Sequence, residues 1–322
     1  MSEIDITTLP SESWDRRHAL LLHDISERVA AGVTFLRDEY SDRALLEVCQ
    51  TFIFHDLDDA PRSDWNSLKR VWYFPWTEIQ CELSETLNHS LLASYKATFD
   101  NFRRALELAV VGSYFVQEHV PEADAREWLY SERDTPPFSR ALPLLLRNPR
   151  FKEVDAATSW SSELKALYWR LCDVVHVRGM NAGFQRLQPS HLHFVGVSSV
   201  EFSLDAIRLT ADTFIETVRH VATIVALENP VLLVGLDICQ KFGLNPPVSG
   251  FFEEPQSERL RGLLLPSVRD CILALAQQDD EVKSIQNWID SLPNMTTEQV
   301  AEQVQHQREF LDSMRSRPPD KD

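Results

Sequence analysis

Hydrophobic side chains recur every three or four positions along most of this chain, which is the pattern of helices that bury one face. The pattern predicts one helix over residues 14–40 and a second over 41–56. Residues 76–118 contain no proline and no glycine before Gly112, so this span could form one very long helix or two. We expect a break near Asn88 and His89.

Prolines mark where further helices begin and end. We expect Pro75 to end a short aromatic helix over residues 63–74. Pro136 and Pro137 should open another helix, which Pro143 limits. Later helices are predicted at 164–179, 203–228, 230–242, 266–277, 280–292 and 296–316, the last with a capping box of Thr296 and Gln299.

These elements predict an all-α fold with at most one short β-hairpin, near residues 190–200. Only 9 of the 322 residues are glycine, which disfavours a fold built from tight hairpins. No repeat of fixed period is visible, which favours a helical bundle over a solenoid. We place an N-terminal helical extension at 1–84, a helical core at 85–243 and a C-terminal helical region at 258–322.

The chain is acidic, because 49 Asp and Glu against 32 Lys and Arg give a formal net charge of -17 at pH 7. Nucleic-acid binding depends on Lys and Arg that neutralise phosphates, so a nucleic acid would have to meet a local basic patch. The polar N-terminus and the lack of an apolar run of about 20 residues predict a cytoplasmic protein with no membrane partner. The five cysteines lie far apart in sequence, which favours buried, reduced thiols.

The most informative segment is the helix predicted over residues 164–179, LKALYWRLCDVVHVRG, whose final glycine suits a helix C-terminus. Its apolar side chains gather on one side: Leu164, Leu167, Tyr168, Leu171, Cys172, Val174 and Val175. Arg170, Asp173 and His176 spread over an arc of about 120° on the other side. A permanent cation and a group that exchanges protons near neutral pH are the minimum set for cleaving a phosphodiester without a metal.

The run RLCDVVHVRG fits the pattern of an Arg, four to six residues and a His that is typical of the HEPN superfamily, which this chain resembles. The upstream run YKATFDNFRRALELAVVGSYF is similar to the preceding core helix of uncharacterised bacterial HEPN-like proteins. The resemblance covers about residues 85–228. It implies an up-and-down bundle of four or five helices that often dimerises and, in active members, a metal-independent endoribonuclease.

For this chain the resemblance implies catalytic roles for Arg170 and His176. Arg170 would stabilise charge on the phosphate, His176 would act as acid or base while the ribose 2′-hydroxyl attacks phosphorus, and Asp173 would orient one of them. Residues six apart on an ideal helix point about 120° from one another, so these two side chains do not readily converge within one copy. A symmetric homodimer would bring two motif helices together. The alternative is a surface pair of Arg170 with Asp173, with His176 stabilising the helix end.

Three further basic residues are candidates for binding the RNA substrate. Arg103 and Arg104 open the RRALEL run and would line the cleft beside the motif helix, while Arg178 would add a phosphate contact. The alternatives are an ion pair from Arg103 to Glu107 one turn later, and an interaction of Arg178 with the helix dipole.

Two other groups of residues contain metal-ligand side chains. The run LLLHDI at 20–25 looks like the His-Asp core of HD-type metal phosphohydrolases, with His55 and Asp56 as a further pair. His191 and His193 alternate on a strand-like segment. Neither group has the additional ligands that a metal site requires, so we expect no metal and no other cofactor.

The leading hypothesis is a metal-independent endoribonuclease that acts as a homodimer in defence or stress response. Arg170 and His176 would be catalytic and Asp173 would support them. The alternative is a non-catalytic helical module that binds a protein partner, which the negative charge of the chain favours.

Overall fold

The computed structural model describes residues 14–60, 73–175, 204–244 and 250–315. Within them the protein is all-α, as the sequence predicts, with fourteen α-helices and no strand. The helices are α1 (Trp14–Thr34), α2 (Arg43–Thr51), α3 (Tyr73–Leu91), α4 (Tyr95–Phe115), α5 (Glu122–Leu129), α6 (Phe138–Leu145), α7 (Pro149–Thr158), α8 (Trp160–Val175), α9 (Leu204–Glu228), α10 (Ile238–Phe242), α11 (Glu254–Leu263), α12 (Arg269–Gln278), α13 (Asp280–Ser291) and α14 (Thr297–Arg315). Each helix in these ranges is too short or too polar to traverse a lipid bilayer. The β-hairpin predicted near 190–200 lies outside the described residues.

The chain divides into two compact units, each of which joins segments that are distant in sequence. The first unit comprises Met1–Gln50, Thr77–Ala109 and Ser161–Val218, and the second comprises Thr51–Trp76, Val110–Trp160 and Arg219–Asp322. Each unit is made of three separate segments, so it does not correspond to a continuous stretch of the chain. The domain boundaries predicted near residues 84 and 243 therefore stay predictions.

In the first unit, α8 buries most of the apolar stripe that the sequence predicts, while Val174 and Val175 at its end are half-buried. Leu164, Leu167 and Leu171 are fully buried, and burying one Leu side chain contributes about 1.5–3 kcal/mol. On α4 and α9, the rings of Phe102 and Phe214 pack with their centroids 6.4 Å apart. The buried stripe anchors α8 and leaves its opposite side open to solvent.

The break predicted in residues 76–118 is present, because α3 and α4 are separate helices. It lies at residues 92–94, a few positions after Asn88 and His89. Ala93 has a φ of 57°, a left-handed conformation that ends the helix. The N–H of Ser94 then donates to the carbonyl of His89 over 2.7 Å, which closes the end of α3.

Pro75 does not end a helix, contrary to the sequence prediction. It is the third residue of α3, where the missing N–H removes no intrahelical hydrogen bond. Residues 61–72, which contain most of the predicted aromatic helix, lie outside the described residues. In α6, Pro143 lies within the helix, which ends two residues later at Leu145.

The apolar segment 230–242 is not the single helix that the sequence predicts. It consists of a 3-10 turn, Pro230–Leu233, and α10, with non-helical residues between them. There the N–H of Leu236 donates to the carbonyl of Phe252 over 3.0 Å. A Cβ on Gly235 would lie 2.6 Å from the Cα of Glu254, so the chain approaches the start of α11 too closely for any side chain. This packing overrides the local apolar pattern.

Buried and half-buried ion pairs also hold the second unit together. Asp56 is 1% exposed and accepts two hydrogen bonds of 2.7 Å from Arg259 on α11. Arg150 on α7 donates to Asp279 over 2.7 Å. Asp279 is also the N-cap of α13. Each contact joins segments that are more than a hundred positions apart in the chain.

Candidate functional site

The candidate site lies on the solvent side of α8. Ser159 has a φ of 59° and ends α7, so the chain turns directly into α8 at the next residue. The described part of α8 ends at Val175. The structure therefore places Arg170 and Asp173, whereas His176 and Arg178 lie outside the described residues.

Arg170 contacts the neighbouring helix α9, where its Nη2 donates to Oε2 of Glu216. The side chains of Arg170 and Glu216 are 46% and 38% exposed. An ion pair this exposed contributes about 0–1 kcal/mol, because water screens the charges. Asp173 lies one turn along the same helix and is half-buried. The guanidinium that should bind phosphate is thus already bound to a carboxylate.

Arg103 belongs to a hydrogen-bonded network that joins α4 to α8. It donates to Asp100 over 2.9 Å and to Glu107 over 3.0 Å. The ion pair with Glu107, which the sequence offers as the alternative to substrate binding, is therefore present. Oε1 of Glu107 also accepts a hydrogen bond of 2.5 Å from the hydroxyl of Tyr168. The side chain of Arg103 is only 19% exposed, so this network is largely shielded from water.

The network shifts the pKa of two of its members. Burial lowers the pKa of Arg103. The hydrogen bond to Asp100 and the charge of Glu107 raise this pKa by more than burial lowers it, so the net shift is upward. Burial and the hydrogen bond to Glu107 raise the pKa of Tyr168. Tyr168 therefore stays a neutral hydrogen-bond donor at physiological pH, and Arg103 stays charged.

Arg104 is also ion-paired. Its Nη2 lies 2.9 Å from Oε2 of Glu82 on α3, and its Nη1 lies 3.6 Å from Oδ2 of Asp100. The same Asp100 carboxylate binds Arg103, so the structure brings the two predicted substrate-binding arginines together around one aspartate. Both arginines are held by carboxylates of their own chain.

The predicted arginines do not meet on one side of α8. Tyr168, which contacts the Arg103 network, and Arg170, which contacts Glu216, are two positions apart on the helix. Two positions correspond to a rotation of about 200°. The structure therefore joins Arg103 to Arg104 but places Arg170 on another side of the helix, and a cleft shared by all three stays a prediction.

Sequence reasoning missed the carboxylate partners of Arg104 and Arg170. Glu82 and Glu216 lie on other helices, and no local spacing connects them to these arginines. The helical periodicity places Tyr168 in the apolar stripe alone, although a buried tyrosine hydroxyl normally needs a hydrogen-bond partner. This requirement of a buried tyrosine hydroxyl is the signal in the sequence that points to a polar contact on the buried side of α8.

Two of the candidate metal ligands, Asp56 and His23, contact side chains of their own chain. Asp56 is bound by Arg259, and His23 lies 3.3 Å from an exposed glutamate one turn along α1. In the described ranges, no group of three or more His, Cys, Asp and Glu side chains is placed to hold a metal ion. His191 and His193 lie outside those ranges.

Comparisons with protein-family models, curated proteins and solved structures find no match to this chain. Each of Arg103, Arg104 and Arg170 has a carboxylate partner within the chain. A phosphate group would have to displace that carboxylate before it could bind.

Proposed function

We propose that this protein is a non-catalytic helical module that binds a protein partner. One observation carries the proposal: Arg103, Arg104 and Arg170 each form an ion pair with a carboxylate of the same chain. Those carboxylates would repel a phosphate at the same place. The formal net charge of -17 acts in the same direction over longer distances.

Exposed apolar side chains on α14 support a binding role. All residues from 305 to 312 are exposed, and Phe310 and Leu311 are 57% and 51% exposed. A helix that buries so little of itself is only marginally stable in water. A partner that covers Phe310 and Leu311 would remove this apolar surface from water, which favours association.

A metal-independent endoribonuclease that acts as a homodimer in defence or stress response is the second candidate. It is favoured by the exposure of Arg170, because an RNA phosphate could reach the pair of Arg170 with Glu216 without unfolding the helix. In this candidate His176 would act as acid or base, Asp173 would support it, and Arg178 would contact the substrate. A second copy would complete the site.

RNA cleavage in EDTA separates the two candidates. The purified protein is incubated with a mixture of structured and single-stranded RNAs beside Arg170→Ala, His176→Ala and Lys165→Ala variants. Lys165 is the matched control, because it is exposed on α8 and has no carboxylate within ion-pair distance among the described residues. Size-exclusion chromatography and circular dichroism confirm that all four proteins share one fold and oligomeric state.

The module proposal expects no cleavage above that of a heat-inactivated preparation. The opposite result is cleavage by the wild type and by Lys165→Ala, with no cleavage by Arg170→Ala or His176→Ala. That result would overturn the module proposal in favour of the ribonuclease. The inactive variants would then also show whether a second copy is required, since mixing them would restore activity only across a dimer interface.

A further inference from the structure

The segment from Arg140 to Lys152 is basic in an otherwise acidic chain. It contains Arg140, Arg147, Arg150 and Lys152 and no Asp or Glu. Since 49 of the 322 residues are acidic, a stretch of 13 residues at average composition would carry about two. The segment spans α6, the following turn and the start of α7.

The cations of this segment differ in their partners. Arg150 is bound to Asp279 over 2.7 Å, and its side chain is 31% exposed. Arg140, Arg147 and Lys152 are exposed and have no carboxylate within ion-pair distance among the described residues. They therefore differ from the arginines of the α8 site, whose charges are compensated within the chain.

Arg140 lies in α6, and Arg147 lies two residues after its end, in the turn that leads to α7. One side of the helix is buried through Phe138, Ala141, Leu142 and Leu145. In this turn the N–H of Leu146 donates to the carbonyl of Leu142 over 3.0 Å and the N–H of Arg147 to the carbonyl of Leu144 over 3.1 Å, so the helical winding continues to Arg147. Seven positions of such winding are about two turns, which places both arginines on the side opposite the buried one, about 10 Å apart. Pro143, which is exposed, and Leu144, which is half-buried, lie between them. The outer face of α6 and its following turn thus has an apolar centre flanked by two guanidinium groups that have no carboxylate partner in the described part of the chain.

We propose that this face binds an acidic, amphipathic segment of a partner protein. Two carboxylates about two helical turns apart would pair with Arg140 and Arg147, and an apolar side chain between them would contact Pro143 and Leu144. Guanidinium groups bind carboxylates through two parallel hydrogen bonds, which favours arginine in this role. The inference names the partner class of the proposed module and therefore rests on the proposed function.

The same observations disfavour RNA as the occupant. The net charge of -17 repels a polyanion as long as RNA much more than it repels a short acidic segment. The one aromatic residue between positions 140 and 152 is Phe151, which is fully buried and unable to stack on a base. Charge complementarity and the apolar centre together favour a protein segment.

Fluorescence anisotropy with the full-length protein tests the proposal. The probe is a labelled, Ala-rich helical peptide with two Glu residues seven positions apart and one Leu between them. A second peptide carries Gln in place of both Glu residues, and a single-stranded RNA of about 20 nucleotides is the third probe. The test variant is Arg140→Glu/Arg147→Glu. The control is Arg126→Glu/Lys165→Glu, which changes the net charge equally at two exposed cations elsewhere.

We expect the acidic peptide to bind the wild type, and the test variant to weaken Kd at least about tenfold. The control variant should stay within about twofold, and the Gln peptide should not bind. Arg140→Gln/Arg147→Gln replaces the test variant if circular dichroism shows that charge reversal unfolds the protein. An equal loss in the control variant, no saturable binding up to about 1 mM peptide, or preferential binding of RNA through the two arginines would overturn the proposal.

The outcome is separable from that of the proposed function. A protein that neither cleaves RNA nor binds the acidic peptide remains a non-catalytic module with another class of partner. Cleavage that requires Arg170 and His176 rejects the module itself, whatever the peptide does.

Discussion

Arg259 binds the carboxylate of Asp56 through two hydrogen bonds of 2.7 Å, although the residues are 203 positions apart. Asp56 ends the π-helical turn Phe52–Asp56, and Arg259 lies in α11. The carboxylate is buried, whereas the arginine side chain is 29% exposed. The partly exposed Arg259 therefore supplies a positive charge that offsets the free-energy cost of burying the Asp56 carboxylate.

Replacing Arg259 should destabilise the protein much more than replacing a surface arginine. We expect Arg259→Leu to lower the free energy of unfolding by about 3 kcal/mol, because it leaves the buried Asp56 charge uncompensated. The control is Arg43→Leu, which breaks an exposed pair with Glu47 and should cost less than about 1 kcal/mol. Chemical denaturation measures both values, and similar losses in the two variants would contradict this role of Arg259.

The ion pair of Asp279 should appear in the pH dependence of stability. Burial raises the pKa of this carboxyl, but hydrogen bonds from the α13 backbone and the charge of Arg150 lower it more, so the net shift is downward. A carboxyl with a lowered pKa stabilises the fold above its unfolded pKa of about 3.9. That stabilisation is lost as the pH falls through the lower, folded pKa.

Asp279→Asn isolates this charge, because Asn is also a good N-cap. We expect the variant to be about 1 kcal/mol less stable than the wild type at pH 7, with the difference shrinking as the pH falls below the unfolded pKa of about 3.9 and through the lower, folded pKa. Urea denaturation between pH 7 and pH 2.5 provides the measurement. Asp280→Asn, at a fully exposed side chain one position later, serves as control. A difference that is constant with pH would show that the substitution acts through packing instead.

Gly235 and Gly262 form a matched pair for testing the close approach of α11. A Cβ on Gly235 would meet the backbone of Glu254, whereas nothing lies within 4 Å of a Cβ on Gly262. We expect Gly235→Ala to cost about 1–3 kcal/mol, because the start of α11 must move. Gly262→Ala should stabilise the protein by about 0.5–1 kcal/mol through higher helix propensity. Thermal denaturation compares the two, and changes of the same sign would refute the explanation.

The contact of Tyr168 with Glu107 makes a prediction at alkaline pH. Tyr168→Phe should lower stability by about 1 kcal/mol at pH 7 through loss of one hydrogen bond. Because the folded pKa of Tyr168 is raised, this contribution is full below the ordinary tyrosine pKa of about 10 and is lost as the pH rises through the folded value. Denaturation at pH 7 and at higher pH measures it. Tyr130→Phe, at a tyrosine that is 69% exposed, should change neither value.

Local patterns in the sequence determined which segments are helical and which faces they bury. The helix predicted at 203–228 is present as α9, and most of the apolar stripe of α8 is buried. Thr296 and Gln299 form the predicted capping box, with hydrogen bonds of 2.8 and 3.3 Å. Periodicity and capping involve residues three or four positions apart, so the sequence contains all the information that they require.

Tertiary structure alone decided which charges from distant segments meet and where a helical pattern is overridden. The carboxylate of Glu216 reaches Arg170 from a helix 46 positions later, and Arg259 reaches Asp56 from 203 positions away. The apolar segment 230–242 is interrupted because Gly235 packs against α11. Such contacts depend on the three-dimensional arrangement of distant segments, which no local spacing encodes. The sequence by itself therefore determined the helices and the candidate arginines, and the tertiary structure determined that those arginines are ion-paired while Arg140 and Arg147 have no carboxylate partner among the described residues.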